Sequence, residues 1–544
     1  MLRWSTVAVV AFAALAMPRI LIAQQKQTEL LPADRTIPQA IDHYVELAQR
    51  ENKIPTAPIA DDAELLRRIM LDVMGRIPVD AEMNEYLAST DTEKKTKLVD
   101  RLLASPGFLR HQTQEMAVLL QATAKKGKKS LYDYVQSAVA ENRPWDRIFR
   151  EMVAPNESDP KQEGASEFLK SRVKELDRLT IDVSNTFFGV NVSCAQCHDH
   201  PLVPTWTQDH FYGLKAFFVR TVDAGGFLGE KDFGVVKYIP NKGKEKVAPP
   251  MFLTGKKIED PGQKDASAEQ KKKESERLET AKKSKKAPEP AAFSLRAKLA
   301  ETALEADQRM FFSRAIVNRL VYRLTGRGLV MPLDQMHLEN PASHPELLQW
   351  LGRDLENHGY DLRRLIRGIV LSNTYARASR WEGEGAPQEK WYAMANVRAL
   401  TPHQMAASLK LAAMDQSSLP ADANERDKRI EEIVRSSEGL AIHFPQPTEN
   451  FQIGVSEAML FANNETLTKQ LLEGPSTLAF RMKAEGNLEK RADLAIRSVL
   501  SRKAKPEEVQ AIVGYLQRRI DRVEAACQQV VWSLLTSAEF RFNH

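Results

Sequence analysis

Apolar residues recur along most of this chain at the three-and-four spacing of a single helix face, and clear period-two alternation is scarce. Asp61 with Glu64 fits a helix start ahead of Leu65, Leu66, Ile69 and Leu71. Ser105-Pro106 reads as a cap followed by proline at the first helical position. Ser343 with Glu346 forms an S-x-x-E box before Leu347, Leu348, Leu351 and Leu355. Thr401-Pro402 with Gln404 opens a helix carrying Met405, Leu409 and Leu411, and Lys505-Pro506-Glu507-Glu508 opens one through Val509, Ile512, Val513 and Leu516. The best strand candidates lie between Phe227 and Ile239. The pattern predicts an all-α protein with minor β content around 225–255.

The apolar rhythm fails over residues 255–290, which are dense in Lys, Glu, Ala and Ser. Too few apolar side chains are present there to offset ordering entropy, so the stretch predicts a solvated linker or an exposed helix. It separates a helical domain at 36–220 from a second at 291–544, with 221–290 as irregular segment and charged linker.

A length of 544 residues suits two or three domains. The net charge of +5 suggests an anionic partner until its distribution is considered. Residues 241–290 hold 14 basic and 9 acidic side chains, an excess equal to that of the whole chain. The remainder is near neutral, and no nucleic-acid footprint is expected. The N-terminus reads as a secretory signal over 1–23. Arg3 precedes an apolar run from Val7 to Leu15, with small-residue sites at Ala14-Leu15-Ala16 and Ala23. Pro18 and Arg19 make that run short for a membrane span, though an uncleaved anchor is the alternative. The expectation is an exported protein, periplasmic or associated with the cell envelope, with no membrane span after signal removal.

Two of the three cysteines fall in Cys194-Ala195-Gln196-Cys197-His198. C-x-x-C-H is the attachment signature of c-type haem, in which two thiols bond the porphyrin edge and the histidine ligates iron. Export agrees with this chemistry. The zinc alternative uses Cys194, Cys197, His198 and His200, but these four donors fall within seven residues, which makes tetrahedral closure awkward. A redox-active disulfide is the other alternative. Trp206, Phe211 and Tyr212 follow closely and are candidate walls for a haem. Candidate sixth ligands are His210, His344 and Met251, with Met331 and Met336 behind them. Cys527 is expected to be a small core residue.

The run Asn191 to Pro201, with Trp206-Thr207-Gln208 and Phe211-Tyr212-Gly213-Leu214, resembles the planctomycete cytochrome-like family PSCyt2, also called DUF1549. Leu71-Asp72, Gly75-Arg76-Ile77-Pro78 and Leu98 to Pro106 match its N-terminal pattern. Asn318-Arg319-Leu320, Gly326 to Val330, Asn340-Pro341, His344 to Leu348, Ser372 to Tyr375 and the closing Ser537 to His544 resemble its partner family, PSD1 or DUF1553. The resemblance implies haem on Cys194, Cys197 and His198. The chain departs from the pattern at Tyr322, where tryptophan is usual, at Gln335, where a second Asp is usual, and at His210, where an acidic residue is common.

Three readings follow. The leading one is an exported mono-haem c-type cytochrome-like protein acting in electron transfer with a redox partner protein. The second is a haem-dependent oxidoreductase on an extracellular, polysaccharide-derived substrate, with Asp334 and the Arg327 region near its site. The third is a non-haem metal-binding or structural module.

Overall fold

The computed structural model describes residues 30–123, 125, 129–262, 266–447, 459, 461 and 463–544. The expected signal segment at 1–23 lies outside them. The described chain is a succession of short helices with three small two-stranded antiparallel pairs. Leu228–Glu230, Val236–Tyr238 and Lys246–Ala248 lie in the stretch read as β; Val236–Tyr238 pairs with Lys246–Ala248, and Leu228–Glu230 pairs with Thr221–Asp223, which precedes that stretch. The third joins Arg398–Ala399 to Phe542–Asn543. None of the described helices is long and apolar enough to cross a membrane.

Helix starts follow the capping chemistry of the sequence. Asp61 accepts from the backbone N–H groups of Ala63 and Glu64, Ser105 from Phe108, and Thr401 from Gln404. The Ser343 box differs. The helix Pro345–Asn357 begins one residue later, with His344 as its cap, and the Ser343 backbone N–H bonds the Leu329 carbonyl instead. Proline at the first helical position fixes that start, since its missing N–H costs the helix nothing there. The charged stretch forms an exposed helix, Ala268–Ser284, in which only Glu274 and Ala281 are buried. Arg277 fastens it by donating to the Glu230 carbonyl.

Apolar packing gathers into two main clusters. The first combines residues between Ile37 and Leu253, among them Val45, Phe149, Phe187 and Phe252, with residues between Leu299 and Tyr392 of the C-terminal half. The second is built from Leu400 to Phe540 and receives Leu71, Ile77 and Val79 from the N-terminal half. The chain between 69 and 79 therefore touches both. The helix Asp62–Ile69 widens there into a π-helical turn, Met70–Met74, which Gly75 ends in the left-handed conformation at φ +69°. Met70, Val73 and Met74 enter the first core and Leu71 the second.

Asp72 sits on that turn, buried between the two cores. Its carboxylate takes both guanidinium nitrogens of Arg398 at 2.8 Å, the Tyr375 hydroxyl at 2.6 Å and the Asn543 amide at 2.9 Å. One side chain thus ties the early helix to residues more than 300 positions away. Asp72, Tyr375 and Asn543 belong to the Leu71-Asp72, Ser372–Tyr375 and terminal motifs noted in the sequence, whereas Arg398 lies outside them.

Candidate functional site

The cysteine segment is placed by a second helix ending of the same design. Leu176–Val183 runs into a π-helical turn, Ser184–Phe188, stopped by Gly189 at φ +64°. A side chain at Gly189 would press on Ala315 and on the Leu333 carbonyl, each 3.3 Å from a Cβ there. Past Gly189 the chain lies antiparallel to the loop around residues 334–335. Val190 bridges Gln335, the Asn191 N–H donates to the Asp334 carbonyl at 2.7 Å, and the Asn191 amide donates to the Asp334 carboxylate at 3.0 Å.

Asn191 then accepts from the Ser193 N–H, which starts a 3₁₀ turn, Ser193–Gln196. Ala195 buries its methyl in the first core. Gln196 donates to Asp177, and its carbonyl accepts from the Gln208 amide and the Tyr212 hydroxyl. These anchors hold the turn from beneath. Cys194, Cys197 and His198 are left exposed, with both thiols free. The His198 Nδ1 lies 2.7 Å from the Asp199 carbonyl. A proton on Nδ1 satisfies that contact and leaves Nε2 as the free lone pair, the usual state of a histidine that binds metal.

The other nominated residues have separate duties. His200 is buried, and its Nδ1 accepts from the Leu202 and Val203 N–H groups. Its ring packs edge-on to Trp206 and 5.8 Å from His337. Burial, then the neighbouring His337 and His198, holds its pKa below the ordinary value. His200 therefore faces away from the exposed Cys194, Cys197 and His198, and among the described residues no three His, Cys, Asp or Glu side chains are grouped to hold a metal ion. His210 caps its own helix, Gln208–Ala216, by accepting from the Thr207 N–H. Gln208 and Tyr212, one turn apart, reach the cysteine turn, whereas the His210 Nε2 faces Gly255. His344 is buried beside Ser343 and Tyr392. Met251 is buried against Gly213. Trp206 and Phe211 are core residues. Tyr212 is half-buried, stacks on Tyr238 at 4.0 Å, and is the nominated aromatic in contact with the cysteine turn. Cys527 is buried in the second core.

The attachment set of a c-type haem fits this surface: two free thiols on one turn, and an imidazole with its far nitrogen open. Sequence reasoning missed a different group, the arginines Arg319, Arg323 and Arg398, which line a cavity with Arg327. The readable signal was Arg319 and Arg323 one turn apart on the helix Met310–Thr325.

Residues 40–223 match the PSCyt2 model, a protein of unknown function (DUF1549), and residues 295–437 match the PSD1 model, a protein of unknown function (DUF1553). No curated protein and no solved structure matches the chain.

Proposed function

We propose that this chain, which joins a PSCyt2 domain to a PSD1 domain, is an exported protein that carries one c-type haem and acts in electron transfer. The observation that carries the reading is the exposed turn: Cys194 and Cys197 as free thiols beside His198, whose Nδ1 is taken up by the Asp199 carbonyl. Cys194 and Cys197 would hold the group covalently and His198 would ligate iron. Haem supplies reversible one-electron chemistry when bound. The protein's part is to present the ligands on a turn pinned by Ala195 and Gln196 and to orient the imidazole through Asp199. Leu202 and Leu338, 59% and 86% exposed, follow His200 and His337, whose rings meet. They offer apolar surface next to the turn for a porphyrin edge or a redox partner.

One observation favours the oxidoreductase reading as an alternative. His210, His344 and Met251 are each held away from the turn by their own contacts. Expression of the full chain in a host competent in cytochrome c maturation tests the proposal. A pyridine haemochrome spectrum is expected from the wild type, with covalent haem lost in Cys194→Ala and Cys197→Ala. A colourless wild-type protein would overturn it. Carbon monoxide binding to the reduced protein would select the oxidoreductase, and its absence the electron carrier.

A further inference from the structure

A cavity of about 750 Å³ opens between the two halves of the molecule, away from the cysteine turn. Its walls come from the helix Pro106–Leu120, the helix Met310–Thr325 and the segment around residues 396–404. Four arginines line it: Arg319, Arg323, Arg327 and Arg398. Their charges are unevenly matched. Arg398 is paired with Asp72, and Arg327 meets Glu389 at 3.3 Å. Arg319 donates to the Asn185 carbonyl and Arg323 to the Gln112 amide oxygen, and neither has a carboxylate within ion-pair distance among the described residues. The Nε–H groups of all four are buried without a hydrogen-bond partner.

Holding a partly buried guanidinium without an ion-pair partner is unfavourable. The remaining carboxyl in the wall, Glu115, attracts Arg323 without forming an ion pair with it, and burial raises its pKa. The terminal N–H groups that Arg319 and Arg323 do not spend on Asn185 and Gln112 match an oxyanion, which guanidinium groups bind through paired N–H contacts. The volume exceeds what a bare ion needs and falls in the range of organic ligand sites. The Gln112 amide nitrogen would meet a further acceptor on such a molecule.

We propose that this cavity binds a small polar organic anion, whose acid group is held by Arg319 and Arg323. The site is joined to the cysteine turn by one loop. Met331 and Leu333 line the cavity, and the adjoining Asp334 and Gln335 pair with Asn191 and Val190.

The test is calorimetric titration of the full chain, in chloride buffer, with glucuronate, sodium sulfate and sodium phosphate, and with glucose as the neutral probe. Saturable binding of at least one oxyanion probe below about 10 mM is expected, with none of glucose. Comparison of the three separates carboxylate from sulfate and phosphate ligands. Arg319→Gln and Arg323→Gln should each weaken that binding about tenfold or more, the loss of a charge-assisted hydrogen bond. Lys97→Gln, at an exposed pair elsewhere, should leave it unchanged. If Arg323→Gln fails to fold, Arg319→Gln decides. No saturable binding by any oxyanion probe, or unchanged affinity in the folded arginine variants, would overturn the proposal.

Discussion

At the residue scale, the C-x-x-C-H motif was legible because it is local: five consecutive residues carry two thiols and an imidazole. The fate of the surrounding residues was not legible. Trp206 and Phe211 went to the core, and His200 turned inward, because burial depends on partners such as His337 that are remote in sequence. His344 shows the same limit and supports a prediction. Burial holds its imidazole at a pKa of about 4, below the ordinary 6.5. Above pH 6.5 the group is neutral in both folded and unfolded chains, and the folded state bears no penalty. As the pH falls toward 4, the unfolded chain takes up a proton that the folded chain refuses, so stability falls. The loss attributable to this residue reaches ~3 kcal/mol by about pH 4. Urea unfolding between about pH 7 and about pH 4 should therefore show a shallower decline in His344→Gln than in the wild type. His111 and His403, also lowered by burial, slope the same way in both proteins and drop out of the difference. Parallel declines in the two proteins would refute the assignment.

At the element scale, caps with a short polar side chain and a proline or glutamine at fixed offsets were readable, since each is complete within four residues. The π-helical turns were not, because no local residue demands them. In each, a glycine reverses the chain beside a wall made elsewhere: His111 at Gly75, Ala315 and Leu333 at Gly189. Gly75 combines a left-handed backbone with a near contact, as a Cβ there would lie 2.5 Å from the His111 Nδ1. Gly75→Ala would bear the left-handed penalty of about 1–2 kcal/mol and would also have to displace a buried imidazole. A total loss of about 2–4 kcal/mol is expected, in the upper range of single substitutions. Gly439→Ala, where a Cβ meets nothing within 4 Å, should stay within about 0.5 kcal/mol of wild type. Chemical denaturation of the two variants checks the contrast, and equal effects would show that the close approach at Gly75 relaxes freely.

At the scale of the whole molecule, composition marked the charged stretch around 255–290, whereas the apolar cores meet across it. The first core unites residues on both sides of that stretch, and the second draws in Leu71, Ile77 and Val79. Such assembly leaves no mark in a hydrophobic pattern, which reports that a face is buried and not against what. The tie between the cores is polar. Asp72 satisfies Arg398, Tyr375 and Asn543 at once, and Arg398 also donates to the Arg323 carbonyl. Removing one member of such a pair strands the other in low dielectric, at about 3–5 kcal/mol. Asp72→Asn keeps the shape and removes the charge, so its effect isolates the electrostatic tie. Arg398→Gln should cost a similar amount by stranding the carboxylate. The double variant leaves no lone buried charge. Its loss should fall short of the summed single losses by about 1–3 kcal/mol, the coupling expected of residues in direct contact. A urea-unfolding cycle measures this coupling. Strict additivity would mean that Asp72 and Arg398 act independently.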